Sequence, residues 1–380
     1  MKENKTKPDI RFKGFTEAWE QRKLIDLCDY VDYRGKTPNK SDSGIFLVTA
    51  KNVKDGYIDY DVSKEYIPED KYEEVMRRGK PKIGDVLITT EAPCGNVAQV
   101  NKPNIALAQR IIKYRGHNQV IDNTYLKYYL LSPFFQNILN MKSSGGTVQG
   151  IKGSVLHQQK ISFTKYTEQL KIGQCLDSLD SLITLHQREC DQLKELKKSM
   201  LKKMFPRDES SIPEVRFAGF TDAWEQRKLR DEAIEILAGG DIDKEKTVEN
   251  GKYPIYANAL TNDGIVGYYD DYYRVTAPAV TVTGRGEVGY AKARMTHFTP
   301  VVRLLAVCSN HDCYFLENAI NNHKVVVEST GVPQLTVPQL SSYNIFFPAN
   351  DKEEVRIGKY FHTLDNLITL HQRLYVLVKK

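Results

Sequence analysis

The apolar residues of segment 168–204 recur with the spacing of a long amphipathic helix. Seam positions follow one another at alternating steps of four and three, the heptad repeat of helices that pack side by side. The segment lacks proline, and Pro206 disfavours helix at the residue before it. At about 1.5 Å per residue, the pattern predicts a helix of roughly 55 Å. The seam comprises Ile172, Leu176, Leu179, Ile183, His186, Cys190 and Leu193.

A second seam with the same spacing lies 185 residues further along the chain. Matching seams in one chain favour packing of the two helices on each other. Additional leucines, among them Leu182 and Leu367, widen the apolar stripe, so it could also serve a third helix or a partner. The histidine of each seam suits packing or an interhelical hydrogen bond, with a pH switch or metal site as the alternative. This second seam comprises Ile357, Phe361, Leu364, Ile368, His371, Tyr375 and Val378.

The helices are part of a larger internal repeat. Residues 11–24 read RFKGFTEAWEQRKL and residues 216–229 read RFAGFTDAWEQRKL, identical at twelve of fourteen positions. The stretches 25–178 and 230–363 between the repeated segments differ in sequence. A chain with repeated ends and two unlike middles is interpreted as one scaffold that presents two different surfaces.

The two middles read as mixed α/β. Strands are predicted at 44–48, 84–88 and 105–108, and a helix at 125–131 that breaks at Pro133. In the second middle, 279–282 and 300–307 are β-rich, whereas 325–327 is too short to assign. The predicted domains are 1–166 (first segment and domain), 167–206 (central long helix), 207–350 (second segment and domain) and 351–380 (C-terminal helix).

Charge and composition allow a nucleic-acid partner without requiring one. The 54 Lys and Arg residues exceed the 48 Asp and Glu, giving a net charge of +6. No apolar stretch suggests a secretion signal or a membrane span. Six scattered cysteines without a CxxC pair favour a reduced, cytoplasmic setting.

The sequence contains no complete motif for the catalytic or cofactor-binding sites considered below. Residues 284–289 match GxGxxG, but the β-like stretch after them favours a glycine turn between strands over a dinucleotide site. Cys308, His311 and Cys313, with His323 as a possible fourth ligand, match no common zinc module. The chain has no Pro-Pro pair, which a methyltransferase motif for a flipped base would need. We therefore predict no catalytic residues and no metal site.

The polar and basic residues of the two middles are the remaining candidates. Arg, Lys, Asn and Gln side chains reach both phosphates and base edges in a major groove. For each residue singly, a solvated surface position is the alternative. The predicted DNA-binding residues are Arg34, Lys36, Thr37, Lys51, Asn52, Arg77, Arg78, Lys80, Lys82, Asn258, Asn262, Arg274, Arg285 and Arg294.

Taken in order, these motifs resemble the specificity subunit of type I restriction-modification systems over essentially the whole chain. The resemblance implies two globular target recognition domains of similar mixed α/β fold, related by a pseudo-twofold internal repeat. Two long antiparallel helices would join them as a coiled coil. The motifs are the two Arg-Phe-x-Gly-Phe-x-x-x-Trp-Glu segments, Tyr33–Pro38 with the 44–45 strand start, Gly-Asp-Val-Leu-Ile at 84–88, 253–258 with 263–266, and the paired Leu-Asp-x-Leu-Ile-Thr-Leu-His-Gln helices.

The resemblance also implies a non-catalytic chain that reads double-stranded DNA. Each domain would read one half of a split site. Two methyltransferase subunits would dock on the repeated parts and methylate adenine with S-adenosylmethionine. Two motor-nuclease subunits would add cleavage that depends on ATP and Mg²⁺, so this chain itself would hold no cofactor. The alternatives are an orphan or regulatory DNA-binding adaptor of the same architecture and, from another class, a stand-alone nuclease or methyltransferase.

Overall fold

The computed structural model describes residues 8–33, 38–145, 149–207, 210–259, 261–323 and 333–379. The chain forms two compact units, Met1–Leu182 and Ile183–Lys380, here called unit 1 and unit 2. The division between them falls inside the long helix Tyr166–Lys203. Within the described residues, no helix is both long and apolar enough to cross a membrane.

Unit 1 is built from three small sheets and the helices beside them. Its strands are β1 (Glu20–Lys23), β2 (Cys28–Asp32), β3 (Ile45–Val48), β4 (Tyr66–Ile67), β5 (Val86–Thr90), β6 (Cys94–Gln99), β7 (Ala106–Leu107), β8 (Ile111–Gly116) and β9 (Lys160–Phe163). Its helices are α1 (Leu24–Leu27), α2 (Tyr72–Val75), α3 (Asn123–Leu131), α4 (Pro133–Lys142), α5 (Gly153–His157) and the start of α6 (Tyr166–Lys203). The sheets have the orders β2-β8-β5-β6, β4-β3-β7 and β1-β9.

Strand β5 lies at the centre of unit 1 because both of its faces are covered. All five of its residues are buried. Alternate side chains of a strand point to opposite faces, so Val86 and Ile88 join one apolar cluster and Leu87 joins another. A continuous apolar run is what a strand buried on both faces requires.

Unit 2 repeats this topology with a different sequence. Its strands are β10 (Glu225–Lys228), β11 (Ala233–Ala238), β12 (Tyr253–Tyr256), β13 (Ile265–Tyr269), β14 (Ala279–Thr283), β15 (Ala291–Arg294), β16 (Thr299–Pro300), β17 (Leu304–Ser309) and β18 (Asn344–Phe347). Its helices are the rest of α6, α7 (Leu229–Glu232), α8 (Cys313–Asn322), α9 (Val337–Ser341) and α10 (Asp351–Lys379). The sheet orders β11-β17-β14-β15, β13-β12-β16 and β10-β18 match those of unit 1 strand for strand. The predictions of a mixed α/β chain and of two domains with a similar fold are confirmed.

Each unit is closed by its repeated segments. Strand β1 pairs antiparallel with β9, and β10 pairs in the same way with β18. The repeated strand at the start of each unit therefore lies beside the strand that precedes the long helix of that unit. This pairing brings the two ends of each variable stretch together.

A buried ion pair reinforces this closure in both units. The guanidinium of Arg11 donates through Nε to Glu168 Oε1 at 2.9 Å, and that of Arg216 donates through Nε to Glu353 Oε1 at 2.7 Å. The two glutamate side chains are 0% and 1% exposed. A carboxylate so far from water is stable only with a partner that satisfies its charge.

The acidity of Glu168 reflects this pairing. Burial raises the pKa of Glu168, but hydrogen bonds from Arg11 and Thr164 and the charge of Arg11 outweigh burial, so the pKa lies below its ordinary value. Because the folded pKa is below the unfolded one, the pair stabilises unit 1 at neutral pH. This contribution is lost as the pH falls through the folded pKa of Glu168.

A glycine in α10 allows this helix to approach the start of α8 closely. The side chain of Asp312 caps α8 by accepting a hydrogen bond from Phe315 N at 2.8 Å. A Cβ on Gly358 would lie 1.9 Å from Asp312 Oδ1, so only glycine allows the helix this close. In unit 1 the equivalent residues Gly173 and Asp122 stand in the same relation, with a Cβ distance of 3.2 Å.

The predicted seam between the long helices is interhelical only in part. Ile172 packs against the unit 1 core, whereas Leu193 packs against a unit 2 core that contains Ile357, Phe361 and Leu364. These side chains face a globular core because α6 and α10 each cover one side of their unit. Of the other predicted seam residues, Leu176, Ile183 and Val378 are half-buried, Leu179 is exposed and Ile368 is buried.

Within unit 2, α6 and α10 run antiparallel. His186 Nδ1 of α6 lies 3.2 Å from His371 Nδ1 of α10, and Lys197 Nζ further along α6 donates to Asp365 Oδ1 at 2.6 Å. Higher numbers on one helix meet lower numbers on the other. The expected antiparallel arrangement is therefore present in this part of the chain.

Replacing Arg216 with alanine is expected to destabilise unit 2 by about 3 kcal/mol, because it leaves the Glu353 carboxylate buried without its partner. The measurement is urea unfolding followed by Trp224 fluorescence in a Trp19→Phe background, which leaves one tryptophan, in unit 2. The control is Arg230→Ala, whose ion pair with Asp231 is 59% exposed on both sides. It is expected to cost less than about 1 kcal/mol. Equal losses in the two variants would contradict the role given to the buried pair.

Candidate nucleic-acid interface

In unit 1, the basic segment 77–82 lies beside the ends of β2 and β8. It connects α2 to β5. Arg78 Nη1 donates to the carbonyl oxygen of Asp32 at 2.9 Å, and Arg115 Nη2 donates to that of Lys80 at 3.4 Å. These bonds hold the segment on the edge of the sheet, where Arg77, Arg78, Lys80 and Lys82 are exposed.

A buried carboxylate organises the cations behind this segment. Asp85 is 1% exposed and accepts from Arg115 Nε and Nη2, both at 2.7 Å. Lys113 Nζ lies 3.5 Å from the same carboxylate. Burial lowers the pKa of Lys113, Arg115 lowers it further, and Asp85 raises it. Asp85 therefore holds Lys113 inside the fold and Arg115 at its surface.

The cations Lys113 and Arg115 were not among the predicted residues. They lie two apart on β8, so both point to the same face of the strand. The alternation Ile112-Lys113-Tyr114-Arg115 is the signal that could have identified them. It was hidden because the strand also reads as an apolar run at Ile111 and Ile112.

The predicted DNA-binding residues of unit 1 differ in their exposure to solvent. Lys51, Arg77, Arg78 and Lys82 are exposed, and Lys80 is exposed but paired with Glu73. Arg77, Arg78, Lys80 and Lys82 are brought together by their segment. Arg34, Lys36 and Thr37 lie outside the described residues.

The prediction that Asn52 contacts DNA is wrong. Its side chain is fully buried. Its Oδ1 accepts from Thr49 N at 2.9 Å, and its Nδ2 donates to the carbonyl oxygen of Asp59, also at 2.9 Å. The amide holds a turn, and both of its polar ends are occupied within the fold.

In unit 2, the glycine-rich segment 284–289 is the turn that joins β14 to β15. Gly289 N donates to the carbonyl oxygen of Thr283 at 2.7 Å, and the chain returns as an antiparallel strand. The predicted turn between strands is confirmed. A helix N-terminus, which a dinucleotide site needs after its glycines, does not follow here, since the structure describes this segment and β15 in full.

The side chain of Asn258 holds this turn through hydrogen bonds. Its Oδ1 accepts from Gly284 N at 2.8 Å, and its Nδ2 donates to the carbonyl oxygen of Val302 at 3.1 Å. Both ends of the amide are therefore used within the fold. Asn258 therefore supports the turn that carries Arg285, and its contact with DNA stays a prediction.

Arg294 is likewise a structural residue. It is 7% exposed, its Nη1 donates to Asp263 Oδ2 at 2.7 Å, and its guanidinium lies 3.7 Å from the ring centroid of Tyr256. The salt bridge fixes a short loop in which Asn262 and Asp263 adopt positive φ of 50° and 56°. The predicted DNA contact is wrong because the guanidinium is directed inward.

Three predicted residues of unit 2 remain accessible. Asn262 is exposed on the loop that Arg294 holds, and Arg285 is half-buried in the β14–β15 turn. Arg274 is exposed elsewhere, on a cavity of about 600 Å³ lined also by Lys246 and by three carboxylates, Asp241, Asp243 and Asp271. An acidic surrounding of this kind does not favour a phosphate at Arg274.

In unit 2, His311 and Cys313, two of the residues considered as zinc ligands, form hydrogen bonds and ion pairs with other groups of the fold. His311 Nε2 lies 2.8 Å from Glu232 and its Nδ1 lies 3.0 Å from Glu354. Burial lowers the pKa of His311, but the two carboxylates raise it more, so the pKa is above its ordinary value. Cys313 Sγ donates to the carbonyl oxygen of Ala279 at 3.1 Å. Both ring nitrogens of His311 are therefore occupied by carboxylates within unit 2.

Comparison with known proteins identifies the family. The family model for the type I restriction modification DNA specificity domain matches residues 16–195 and again 221–380. Together the two matches cover most of the chain. The chain belongs to this family. The repeated match corresponds to the repeated strand order of the two units.

Individual relatives agree with this assignment. The chain is similar to a putative type I specificity subunit, S.MpnORF507P of Mycoplasma pneumoniae, at 27% identity over 350 residues, 87% of this chain and 85% of that protein. It is also similar to the MjaVIII specificity subunit of Methanocaldococcus jannaschii, at 24% identity, over 62% of this chain and 53% of that protein. The crystal structure of a type I system S subunit from M. genitalium shares the fold, with a TM-score of 0.68 at 14% identity over 98% and 96% of the two chains.

Replacing Arg77 and Lys82 together with alanine is expected to weaken binding to duplex DNA about tenfold or more. It should also reduce the slope of log K against log salt by up to about 1.8, at about 0.9 per lost phosphate contact. Binding to a duplex labelled with a fluorophore, titrated at several salt concentrations, measures both effects. The matched control removes two exposed lysines from a repeated segment, Lys13→Ala with Lys23→Ala. If this control weakens binding as much, overall charge and not this cluster accounts for the effect.

Proposed function

We propose that this chain is the DNA sequence-recognition subunit of a type I restriction-modification complex, with each unit reading one half of a bipartite site. The observation that carries the proposal is the repeated sheet order combined with unlike exposed side chains. Two domains that share a fold but expose different side chains are suited to a DNA site whose two halves differ in sequence.

The exposed groups of each unit are those that meet DNA. Unit 1 offers the exposed cations of segment 77–82 and the half-buried Arg115 beside them. Unit 2 offers Asn262 and Arg285 on two supported turns. Cations position a protein on phosphates, and Arg or Asn side chains can form paired hydrogen bonds with guanine or adenine.

The repeated surface is proposed to bind the partner subunits. Strands β1 and β10 have the same sequence, Glu-Gln-Arg-Lys, and nearly all of these residues are exposed. One surface presented twice suits two copies of one partner. These partners are two methyltransferase subunits, which methylate adenine with S-adenosylmethionine. Two motor-nuclease subunits add cleavage that depends on ATP and Mg²⁺, while this chain contributes recognition and no catalysis.

The long helices are proposed to set the spacer between the half-sites. Within unit 1, Lys127 Nζ donates to Asp177 at 2.9 Å, so α6 is held by α3 at its start. Within unit 2, α6 is held by α10 through Lys197. A helix of fixed length that is held by a recognition domain at each end would fix the number of base pairs between the two half-sites. Dimeric DNA-binding proteins fix their half-site spacing in the same way.

The test is a genome-wide map of methylated adenine in cells that contain this chain and its methyltransferase partner. The expected result is a two-part motif with an unspecified spacer of fixed length. The control is the methyltransferase partner without this chain, which should give no such motif. A continuous motif, or methylation without sequence preference, would contradict the proposal. Specific binding of the chain without any methylation would instead support the adaptor alternative.

A further inference from the structure

The histidines that share one register in the two helix seams meet in unit 2. His186 Nδ1 and His371 Nδ1 lie 3.2 Å apart. Glu189, one turn beyond His186 on α6, places Oε2 at 3.5 Å from the first ring nitrogen and at 3.0 Å from the second. Among the residues that the structure describes, these three form the one group of His, Cys, Asp or Glu side chains whose ligand atoms all lie within 4.8 Å of one another.

The three distances have the size of the edges of a metal coordination tetrahedron. Zinc binds histidine nitrogen at about 2.0–2.1 Å and carboxylate oxygen at about 2.0–2.2 Å, so neighbouring ligand atoms in a tetrahedral site lie about 3.3–3.5 Å apart. The observed separations of 3.2, 3.5 and 3.0 Å surround this value. One ion can therefore contact all three atoms with only small side-chain adjustments.

The electrostatics of the cluster also favour a cation. A neutral imidazole carries a lone pair on one of its two nitrogens, and a carboxylate is acceptor-only. Two Nδ1 atoms and a carboxylate oxygen that converge at hydrogen-bond distance can share either a proton or a metal ion. Both rings are mostly withdrawn from water, with side-chain exposures of 17% and 18%.

The supporting helices hold the ligands in place. Glu189 follows His186 by three positions, which places both side chains on one helical face. The salt bridge between Lys197 and Asp365 fixes the register of α6 against α10. At the position of the repeat equivalent to Glu189, α10 carries Leu374, so the pair of helices supplies one carboxylate and not two.

We propose that His186, Glu189 and His371 bind a divalent ion of the zinc class and clamp α6 to α10. Two imidazoles and one carboxylate select Zn²⁺, or Co²⁺ as its substitute, over Mg²⁺, which prefers oxygen ligands in octahedral geometry. Water occupies the fourth position. Each histidine binds through neutral Nδ1, and any proton on that atom is released to solvent when the ion enters. The proposal revises the sequence-based prediction of no metal site and is independent of the function proposed above.

The test measures zinc bound to the full chain by equilibrium dialysis, after treatment with a chelator and with Zn²⁺ as the added ion. A Cys175→Ser background removes an exposed thiol that could bind zinc by itself. One zinc ion per chain is expected, with a rise in thermal unfolding temperature on zinc addition. His186→Gln and His371→Gln should each lose this ion, and Glu189→Gln should bind it at least tenfold more weakly.

Two control variants match these substitutions on the same helices. His362→Gln removes another histidine of α10, and Glu195→Gln removes another carboxylate of α6. Both should retain the zinc and the thermal shift. Equal zinc binding by the parent and by His186→Gln or His371→Gln would overturn the proposal, as would a parent chain that retains no zinc at micromolar concentrations.

A second measurement does not depend on variants that must fold. Titrated with Co²⁺ alone, the parent should develop the intense visible absorption of tetrahedral cobalt. Equimolar Zn²⁺ should abolish that absorption, and a large excess of Mg²⁺ should leave it unchanged. An absorption no stronger than that of free octahedral cobalt, or displacement by Mg²⁺, would overturn the assignment of a zinc-class site to this cluster.

Discussion

The closure of each unit by its own repeated segments is the constraint on which the rest of the structure depends. A strand pair and a buried arginine–glutamate pair join the beginning of each repeat to the last strand of its unit and to the first turn of the long helix after that strand. Since an unpaired buried carboxylate is costly, both partners must be present in each copy. The stretch between them is free to change in sequence as long as its ends return to the same place.

This closure separates the parts of the chain that must stay alike from those that can differ. The exposed strands β1 and β10 are alike in sequence and in pairing. The turns that carry Arg77 or Arg285 are unlike, although the sheets beneath them have the same strand order. A repeated scaffold suited to identical partners and a pair of unlike readers can thus coexist in one chain.

The helices and strands of the scaffold can be predicted from the sequence more fully than the residues of the DNA-binding site. Heptad spacing predicted helices at 168–204 and 351–380, and the structure has them at Tyr166–Lys203 and Asp351–Lys379, because an apolar stripe and a proline stop are local signals. Whether a polar side chain faces water is a tertiary property. Asn52 and Arg294 look like surface residues in the sequence, yet each satisfies backbone or carboxylate groups inside its unit. Glu189 lies just beyond the repeated motif, so only the packing of α6 on α10 shows that it meets two histidines.

Replacing the variable part of unit 1 with that of unit 2 tests the central claim most directly. Residues 24–159 are replaced by residues 229–343, which joins identical Lys-Leu sequences at one end and enters equivalent strands, β9 and β18, at the other. With the methyltransferase partner present, methylated adenine is then mapped across the genome. The account predicts a two-part motif in which both halves are the half-sequence read by unit 2. A motif that keeps the original first half would contradict it, because recognition would then lie in the repeated scaffold.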